Sequence, residues 1–347
     1  MPKVPDSVVK EQYLLKSTFF YNKLTSGEYF DLFMQIQKFA QIEGHLLSWN
    51  SREEWSISKN AWKVISDNNI SPALVFLHPK TLTLHPKFLK YYRSVAMIPQ
   101  KGLKTLSHIS NVDSIEDGKF EPGSLSLTTI NKLVCAINEI MSLVIELSSE
   151  LNENKLQGMM YATAGTNIDG SWRNQIGAEG ERVIRSIIFK ELLSHNEVLS
   201  ISERSGQIYN INECNTQSYI NNIDSVRTIT LINGFSILFA SEPDVTMYDT
   251  EGNIVGIIEI KSGLDPAGAL ERLGAMFKSF ENTLAEFPNC VTILVASCIT
   301  DEVETRLSSS MVIRQKYITT NITANDSEKR KFVNRLRVIM KLISKTM

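Results

Sequence analysis

The sequence predicts an α/β core that follows a large N-terminal helical region. Apolar residues recur at helical spacing through much of residues 6–153, the pattern of amphipathic helices. Further along, residues 245–249, 254–261 and 291–297 are short runs rich in β-branched residues and bounded by turn formers, which is typical of strands. A helical pattern separates the second of these runs from the third, so strands and helices alternate in the C-terminal half.

Length and composition indicate a folded globular protein. The chain has 347 residues, enough for one large core or two smaller ones, and is 43% hydrophobic and 21% charged. Four scattered cysteines and five histidines show no disulfide framework and no zinc-ligand spacing. No signal-peptide pattern or membrane-length apolar run occurs, so we expect a cytoplasmic protein without a membrane partner. The net charge of −2 gives no overall basic field, and any contact with nucleic acid would need a local basic face.

Residues 71–111 form such a basic stretch, with six Lys or Arg residues and no Asp or Glu. Two His-Pro pairs divide it into short helices or loops. The cations predict either a face that contacts DNA phosphates or an ordinary solvated surface. An arginine beside two tyrosines in this stretch is also a candidate for pairing with guanine. The candidate DNA-binding residues are Lys87, Lys90, Arg93, Lys101 and Lys104.

A long buried helix and then a boundary are predicted next. Residues 124–153 carry an apolar stripe broad enough to be buried on much of the helix surface. Residues 158–171 are rich in Gly, Thr, Asn and Asp, which predicts a loop. The domain boundary is therefore placed there. It separates residues 1–157, a helical region with a possible role in DNA binding or recognition, from an α/β domain over residues 158–347.

The helix that begins near Arg173 carries two acids in its first turns. At the period of about 3.6 residues, Glu181 lies at the edge of the apolar stripe and Glu179 points towards solvent. Glu181 is thus either an acid directed at the sheet or an exposed glutamate favoured by the helix dipole. Both interpretations stay open at this point.

Residues 245–249 and 254–261 predict a β-hairpin, because a tight turn rich in Gly and Asn joins them. This hairpin brings Asp244 beside Glu259 and Lys261. Since side chains alternate along a strand, Glu259 and Lys261 share one face and the intervening isoleucine faces the other way.

Two neighbouring carboxylates repel each other unless a cation lies between them, and their oxygens are ligands that suit Mg²⁺. A lysine at the same strand end can orient or deprotonate a water. The alternative is a surface hairpin with an ordinary Glu–Lys pair. Charges are seldom placed in a strand as apolar as residues 256–260 without a partner, which favours the functional interpretation.

The helix after the hairpin is predicted over residues 266–287, with Asp265 as its N-cap. Two further helices around a short strand complete the chain. The helix over residues 266–287 carries two cations that could reach phosphate, Arg272 and Lys278.

The sequence Pro243-Asp244, fourteen residues, and Glu259-Ile260-Lys261 resembles the signature of the PD-(D/E)xK nucleases. The order of helices and strands around it agrees with that superfamily. The resemblance implies a restriction-endonuclease-like core, a central mixed sheet flanked by helices. It also implies that Mg²⁺ is held by Asp244, Glu259 and the Ile260 carbonyl, and that Lys261 positions or activates the attacking water. Glu181 would be an auxiliary acid.

Residues 265–272, together with His78-Pro79 and Tyr91-Tyr92-Arg93, further resemble type II restriction endonucleases of the XcyI type. This implies Mg²⁺-dependent, sequence-specific cleavage of double-stranded DNA, with a GC-rich hexamer of the CCCGGG kind as target. A palindromic target implies a two-fold homodimer, since the symmetry of protein and site then match. A cognate DNA methyltransferase would belong to the same restriction-modification system, without physical contact being implied.

Two alternatives remain at this point. One is a repair or recombination nuclease of the same superfamily that recognises DNA structure. The other is a non-catalytic DNA-binding relative, which the intact set of Asp244, Glu259 and Lys261 disfavours.

Overall fold

The computed structural model describes residues 6–25, 29–148, 151–263, 266–297, 299 and 301–344. The chain divides into two compact units. One is Glu11–Trp172, here called the helical unit, and the other combines Met1–Lys10 with Arg173–Met347 and is called the sheet unit. The division falls at residues 172/173, whereas the sequence placed the domain boundary at 157/158.

The helical unit is built around one long buried helix. Its helices are most of α1 (Asp6–Thr25), α2 (Phe30–Ile42), α3 (Lys59–Asp67), α4 (Pro72–Val75), α5 (Pro79–Leu84), α6 (Leu89–Val95), α7 (Gln100–Ser107), α8 (Val112–Glu116), α9 (Leu127–Glu146) and the first part of α10 (Glu153–Ser194). The α9 helix begins where the Ser126 hydroxyl accepts a hydrogen bond from the Thr129 N–H. By length and composition alone α9 could cross a membrane, but many of its apolar side chains are buried in the core of the helical unit. The predicted buried helix over residues 124–153 is confirmed, with narrower bounds.

The loop predicted over residues 158–171 is wrong, because this segment is helical and lies within α10. The physical reason is burial at every fourth position. The buried stripe along this part of α10 consists of Leu156, Met160, Ala164, Ile168 and Trp172. Burial of this stripe outweighs the cost of about 1 kcal/mol that each helical glycine brings.

The sheet unit contains one mixed eight-stranded sheet, so the predicted α/β class is confirmed. Its strands are β1 (Val198–Glu203), β2 (Ile208–Asn210), β3 (Val226–Leu231), β4 (Ser236–Phe239), β5 (Val245–Tyr248), β6 (Ile254–Lys261), β7 (Val291–Ala296) and β8 (Gln315–Ile318), in the spatial order β2-β1-β3-β4-β5-β6-β7-β8. The pairs β6–β7 and β7–β8 are parallel and the other pairs are antiparallel. The remaining helices are α11 (Thr216–Asn221), α12 (Pro266–Glu286), α13 (Asp301–Ser309), α14 (Thr319–Ala324) and α15 (Asp326–Ile339).

The two faces of the sheet pack against different helices. Ile258 and Ile260 of β6 belong to a core that includes residues of α10 and α15. Ile257 belongs to a second core with residues of α12 and α13. Because side chains alternate along a strand, Glu259 and Lys261 lie on the same face as Ile257, the α12 face.

Helix α10 approaches the end of β6 closely at Gly180. A Cβ atom at this position would lie 1.6 Å from Ser262 Oγ and 2.6 Å from Ser262 Cβ. Ser262 is itself buried, so it has little room to move away. The contact explains a glycine inside a helix, where alanine would otherwise be favoured by about 0.5–1 kcal/mol.

We therefore expect Gly180→Ala to lower the free energy of unfolding by about 1–3 kcal/mol, because the added methyl group forces α10 away from β6. Gly177→Ala is the matched control, since a Cβ there meets no atom within 4 Å. It should be neutral or stabilising by up to about 1 kcal/mol. Urea unfolding of both variants measures the difference, and equal values would contradict the close contact.

Candidate active site

The β5–β6 hairpin forms as predicted. Val245 pairs with Ile258 in antiparallel register, which brings the residue before β5 opposite the end of β6. In the turn, Asp249 Oδ1 accepts hydrogen bonds from the N–H groups of Glu251 at 2.9 Å and Asn253 at 2.8 Å. Gly252 has a φ of 85°, a conformation that glycine adopts without strain.

Asp244, Glu259 and Lys261 come together at the end of this hairpin. Asp244 and Glu259 are each 3% exposed. Lys261 Nζ lies 2.6 Å from Glu259 Oε2 and 3.7 Å from Asp244 Oδ2. The Ile260 N–H donates to Asp244 Oδ2 at 2.6 Å, and the Ser279 hydroxyl of α12 donates to Glu259 Oε1 at 3.0 Å. The three residues singled out in the sequence therefore form one cluster, in which both carboxylates are buried.

The electrostatics of the cluster leave negative charge uncompensated. Burial is the main cause that raises the pKa of Asp244 to about 7. The Lys261 ammonium and the Ile260 N–H oppose this rise, whereas the charges of Glu259 and Glu181 add to it. Burial lowers the pKa of Lys261, but the carboxylates of Asp244 and Glu259 outweigh burial, so the pKa is raised overall. Two buried carboxylates thus share one ammonium.

Glu181 of α10 contributes to the field of this cluster, since its charge raises the pKa of both Asp244 and Lys261. Its side chain is 28% exposed and its Oε2 accepts a hydrogen bond from Arg185 Nη2 at 2.7 Å. Glu179 points to solvent, as the helical period predicts, and pairs with Arg182.

Sequence reasoning missed two residues that contact the cluster, Arg185 and Ser279. Arg185 follows Glu181 by four residues, a spacing at which side chains meet on a helix surface. Ser279 lies between two apolar residues that are buried in α12, Met276 and Phe280. The spacing of Arg185 from Glu181 and the position of Ser279 among buried residues could be read from the sequence. Neither observation shows which residue of the sheet each side chain contacts.

The donor set fits a Mg²⁺ ion. Asp244 and Glu259 supply carboxylate oxygens, the ligands that this ion prefers, and the Ile260 carbonyl belongs to the same strand end. Within the described part of the chain, no three His, Cys, Asp or Glu side chains form a ready-made metal cluster. Two protein carboxylates agree with the tendency of Mg²⁺ to keep several waters and to bind substrate phosphates.

Arg93 is not available to pair with guanine in this structure, which corrects the sequence interpretation. It is 2% exposed. Its Nε donates to Glu116 Oε1 at 2.5 Å and its Nη2 donates to Glu116 Oε2 at 2.9 Å, so the guanidinium fork is already occupied. Tyr91 and Tyr92 are also buried, and their hydroxyls donate to backbone carbonyls. The partner Glu116 lies just beyond the acid-free stretch.

The lysines of the same stretch differ in exposure. Lys87 and Lys101 are exposed. Lys90 is half-buried, with Nζ 4.7 Å from the ring centroid of Tyr29. Lys104 Nζ lies 2.7 Å from Asp113 Oδ1. Asp113 follows the basic stretch of residues 71–111, so this ion pair was not visible within that stretch.

The other predicted phosphate contacts lie on α12. Lys278 is exposed. The side chain of Arg272 and the proposed cap Asp265 lie outside the described residues.

A mixed sheet with two carboxylates and a lysine at one strand end is consistent with an α/β nuclease-like fold. The family model described as XcyI restriction endonuclease matches residues 56–343, most of the chain. The chain therefore belongs to the XcyI restriction endonuclease family. Membership makes it a type II restriction endonuclease, a site-specific hydrolase with DNA as substrate, and confirms the resemblance to type II restriction endonucleases of the XcyI type. None of the curated proteins compared with the chain matches it.

The raised pKa of Asp244 predicts a pH-dependent stability. The folded state binds a proton that the unfolded state releases between about pH 4 and pH 7, so stability falls as the pH rises through this window. In EDTA at pH 8, Asp244→Asn should therefore raise the free energy of unfolding by on the order of 2 kcal/mol. The gain should shrink towards pH 4.

Thermal and urea unfolding at several pH values measure this gain. Glu179→Gln is the control, because it removes an exposed charge from α10 and should give no comparable pH-dependent gain. A gain from Asp244→Asn that is absent, or equal at all pH values, would contradict burial of the charged carboxylate.

Proposed function

We propose that this restriction endonuclease cleaves double-stranded DNA by Mg²⁺-dependent hydrolysis at the Asp244–Glu259–Lys261 cluster. The observation that carries the proposal is the burial of both carboxylates, each 3% exposed, beside a single ammonium. Such burial is costly unless the charges are paired. A divalent cation would offset the remaining negative charge. The cluster is therefore better suited to binding a metal ion than to stabilising the fold.

Each residue has a distinct role in the proposed reaction. Asp244, Glu259 and the Ile260 carbonyl would hold the ion. When bound, Mg²⁺ supplies charge neutralisation at the phosphate and lowers the pKa of an attacking water. The Lys261 ammonium, 2.6 Å from Glu259, would position that water and hold or move a proton at Nζ. Glu181 would act as an auxiliary acid whose charge already reaches the cluster.

The motif and its surroundings support assigning the sheet unit to the PD-(D/E)xK nucleases. Asp244 precedes β5, and Glu259 and Lys261 lie at the end of β6, between α10 and α12 in the chain. We further propose a GC-rich palindrome of the CCCGGG kind as target, read by a homodimer in the cytoplasm, with a cognate methyltransferase in the same system. Family membership supports this assignment, and a palindromic target would call for a two-fold homodimer, because the symmetry of protein and site then match.

The decisive experiment is a plasmid digest. With Mg²⁺ the protein should give discrete fragments, and sequencing their ends would read out the target. Discrete fragments distinguish site-specific cleavage from a structure-specific nuclease, which would give nicks or smears, and from a relative that binds without cutting.

Asp244→Ala should reduce cleavage by several powers of ten, because a metal-binding carboxylate is lost. EDTA should stop the parent enzyme, and Ca²⁺ should allow DNA binding without cutting. Glu251→Gln, an exposed change in the same hairpin turn, is the control and should cleave normally. Cleavage by Asp244→Ala at a rate near that of the parent would refute the site.

Exposed lysines of the helical unit are the proposed phosphate contacts. Replacing Lys87 and Lys101 together by Ala should flatten the plot of log affinity against log salt by about two units, at roughly 0.9 per contact. Lys104→Ala is the control on α7, since its charge is already paired with Asp113. Binding to a random duplex in Ca²⁺ over a range of salt concentrations gives the slopes. An unchanged slope in the double variant would show that these lysines belong to an ordinary solvated surface and do not contact DNA.

A further inference from the structure

Arg185 of α10 is a buried cation beside the candidate active site. It is 4% exposed and follows Glu181 by one helical turn. A buried guanidinium is costly unless its donors are met. Its partners therefore indicate what the residue is for.

The partners of Arg185 lie on α10 and on the segment that joins β4 to β5. Its Nη2 donates to Glu181 Oε2 at 2.7 Å, to the Ala240 carbonyl at 2.7 Å and to the Asp244 carbonyl at 3.4 Å. Ala240 and Asp244 bracket residues 241–243, the segment that leads from β4 into the site. The guanidinium carbon also lies 5.6 Å from the ring centroid of Phe239, the last residue of β4.

We propose that Arg185 is a positioning residue of the metal site, which fixes the backbone of Asp244 and the carboxylate of Glu181 in one arrangement. The inference rests on the proposed Mg²⁺-dependent function. Arg185 does not touch the reacting atoms. It acts through Asp244, whose backbone it holds, and through Glu181, one of whose oxygens it occupies so that the carboxylate can present only the other.

Stability alone does not account for this arrangement. Buried ion pairs contribute little net stability, because desolvation offsets their attraction. Arg185 Nε is buried and has no hydrogen-bond partner among the described residues, which adds a cost. Such a loss of stability is typical of functional sites, where a particular geometry is retained although it destabilises the fold.

The guanidinium also suits this task better than an ammonium would. Its planar group holds Nη2 in a fixed direction, and Nη2 alone donates to a helix carboxylate and to two backbone carbonyls of a neighbouring segment. A lysine at residue 185 would keep the charge but lose the planar group that fixes this donor, so charge and geometry can be separated by experiment.

The test compares Arg185→Lys and Arg185→Gln with the parent enzyme. The readouts are the Mg²⁺ concentration that gives half-maximal cleavage and the rise in melting temperature that Ca²⁺ causes without DNA. Mutation of a residue that orients a metal ligand typically lowers metal affinity by 10- to 100-fold. Both variants should therefore need at least about tenfold more Mg²⁺ and show a smaller Ca²⁺ effect.

Arg182 offers a matched control on the same helix. It pairs with Glu179 and Asp224, and its side chain is 43% exposed. Arg182→Lys and Arg182→Gln should leave the half-saturating Mg²⁺ concentration unchanged. The double variant Arg185→Gln/Glu181→Gln should differ from the sum of its single changes, because the two side chains are in direct contact.

The outcomes separate this inference from the proposed function. Arg185 variants that melt at lower temperature but need no more Mg²⁺ than the parent would show a purely structural anchor and overturn the inference. An Arg185→Lys protein that does not fold would do the same. Cleavage by the parent in EDTA would instead overturn the metal site itself, and this inference with it.

Discussion

The burial of two carboxylates beside one ammonium is the constraint on which the sheet unit depends. Each acid is held by its own donors. Asp244 accepts from the Ile260 N–H, and Glu259 accepts from Lys261 and from Ser279 of α12. These donors come from strand pairing and, for Glu259, also from helix packing, so the hairpin must be in register and α12 docked for both acids to be buried without a larger cost. The charge that remains is the part a divalent cation would offset.

Helix α10 further constrains the geometry of the Asp244–Glu259–Lys261 cluster. Gly180 allows its backbone to pass close to Ser262, next to Lys261 in sequence. One residue later Glu181 directs its field at the cluster, and one turn later Arg185 bonds the backbone on either side of residues 241–243. Close approach, charge and backbone anchoring thus follow one another within a few residues of a single helix. A displacement of this helix would alter all three together.

The features that could be predicted from the sequence are those set by local pattern. The hairpin and the gathering of Asp244, Glu259 and Lys261 follow from a short turn and strand alternation. What could not be predicted depends on tertiary packing. The Gly-rich segment of α10 is helical because of a buried stripe, and Arg93 is internal because Glu116 meets it across the fold. Likewise, Ser279 reaches Glu259 only once α12 has packed on the sheet.

The mixed pairing of β6 has a consequence for the order of folding. Strands β5 and β6 are joined by a tight turn, whereas the parallel pair β6–β7 is closed only after α12 has crossed over. Contacts between residues near in sequence form earlier on average than those that close long loops. The acids are therefore expected to meet while still hydrated, and the docking of α12 to expel water from around Glu259 late. Partial opening of that helix would rehydrate the carboxylate without separating the hairpin strands.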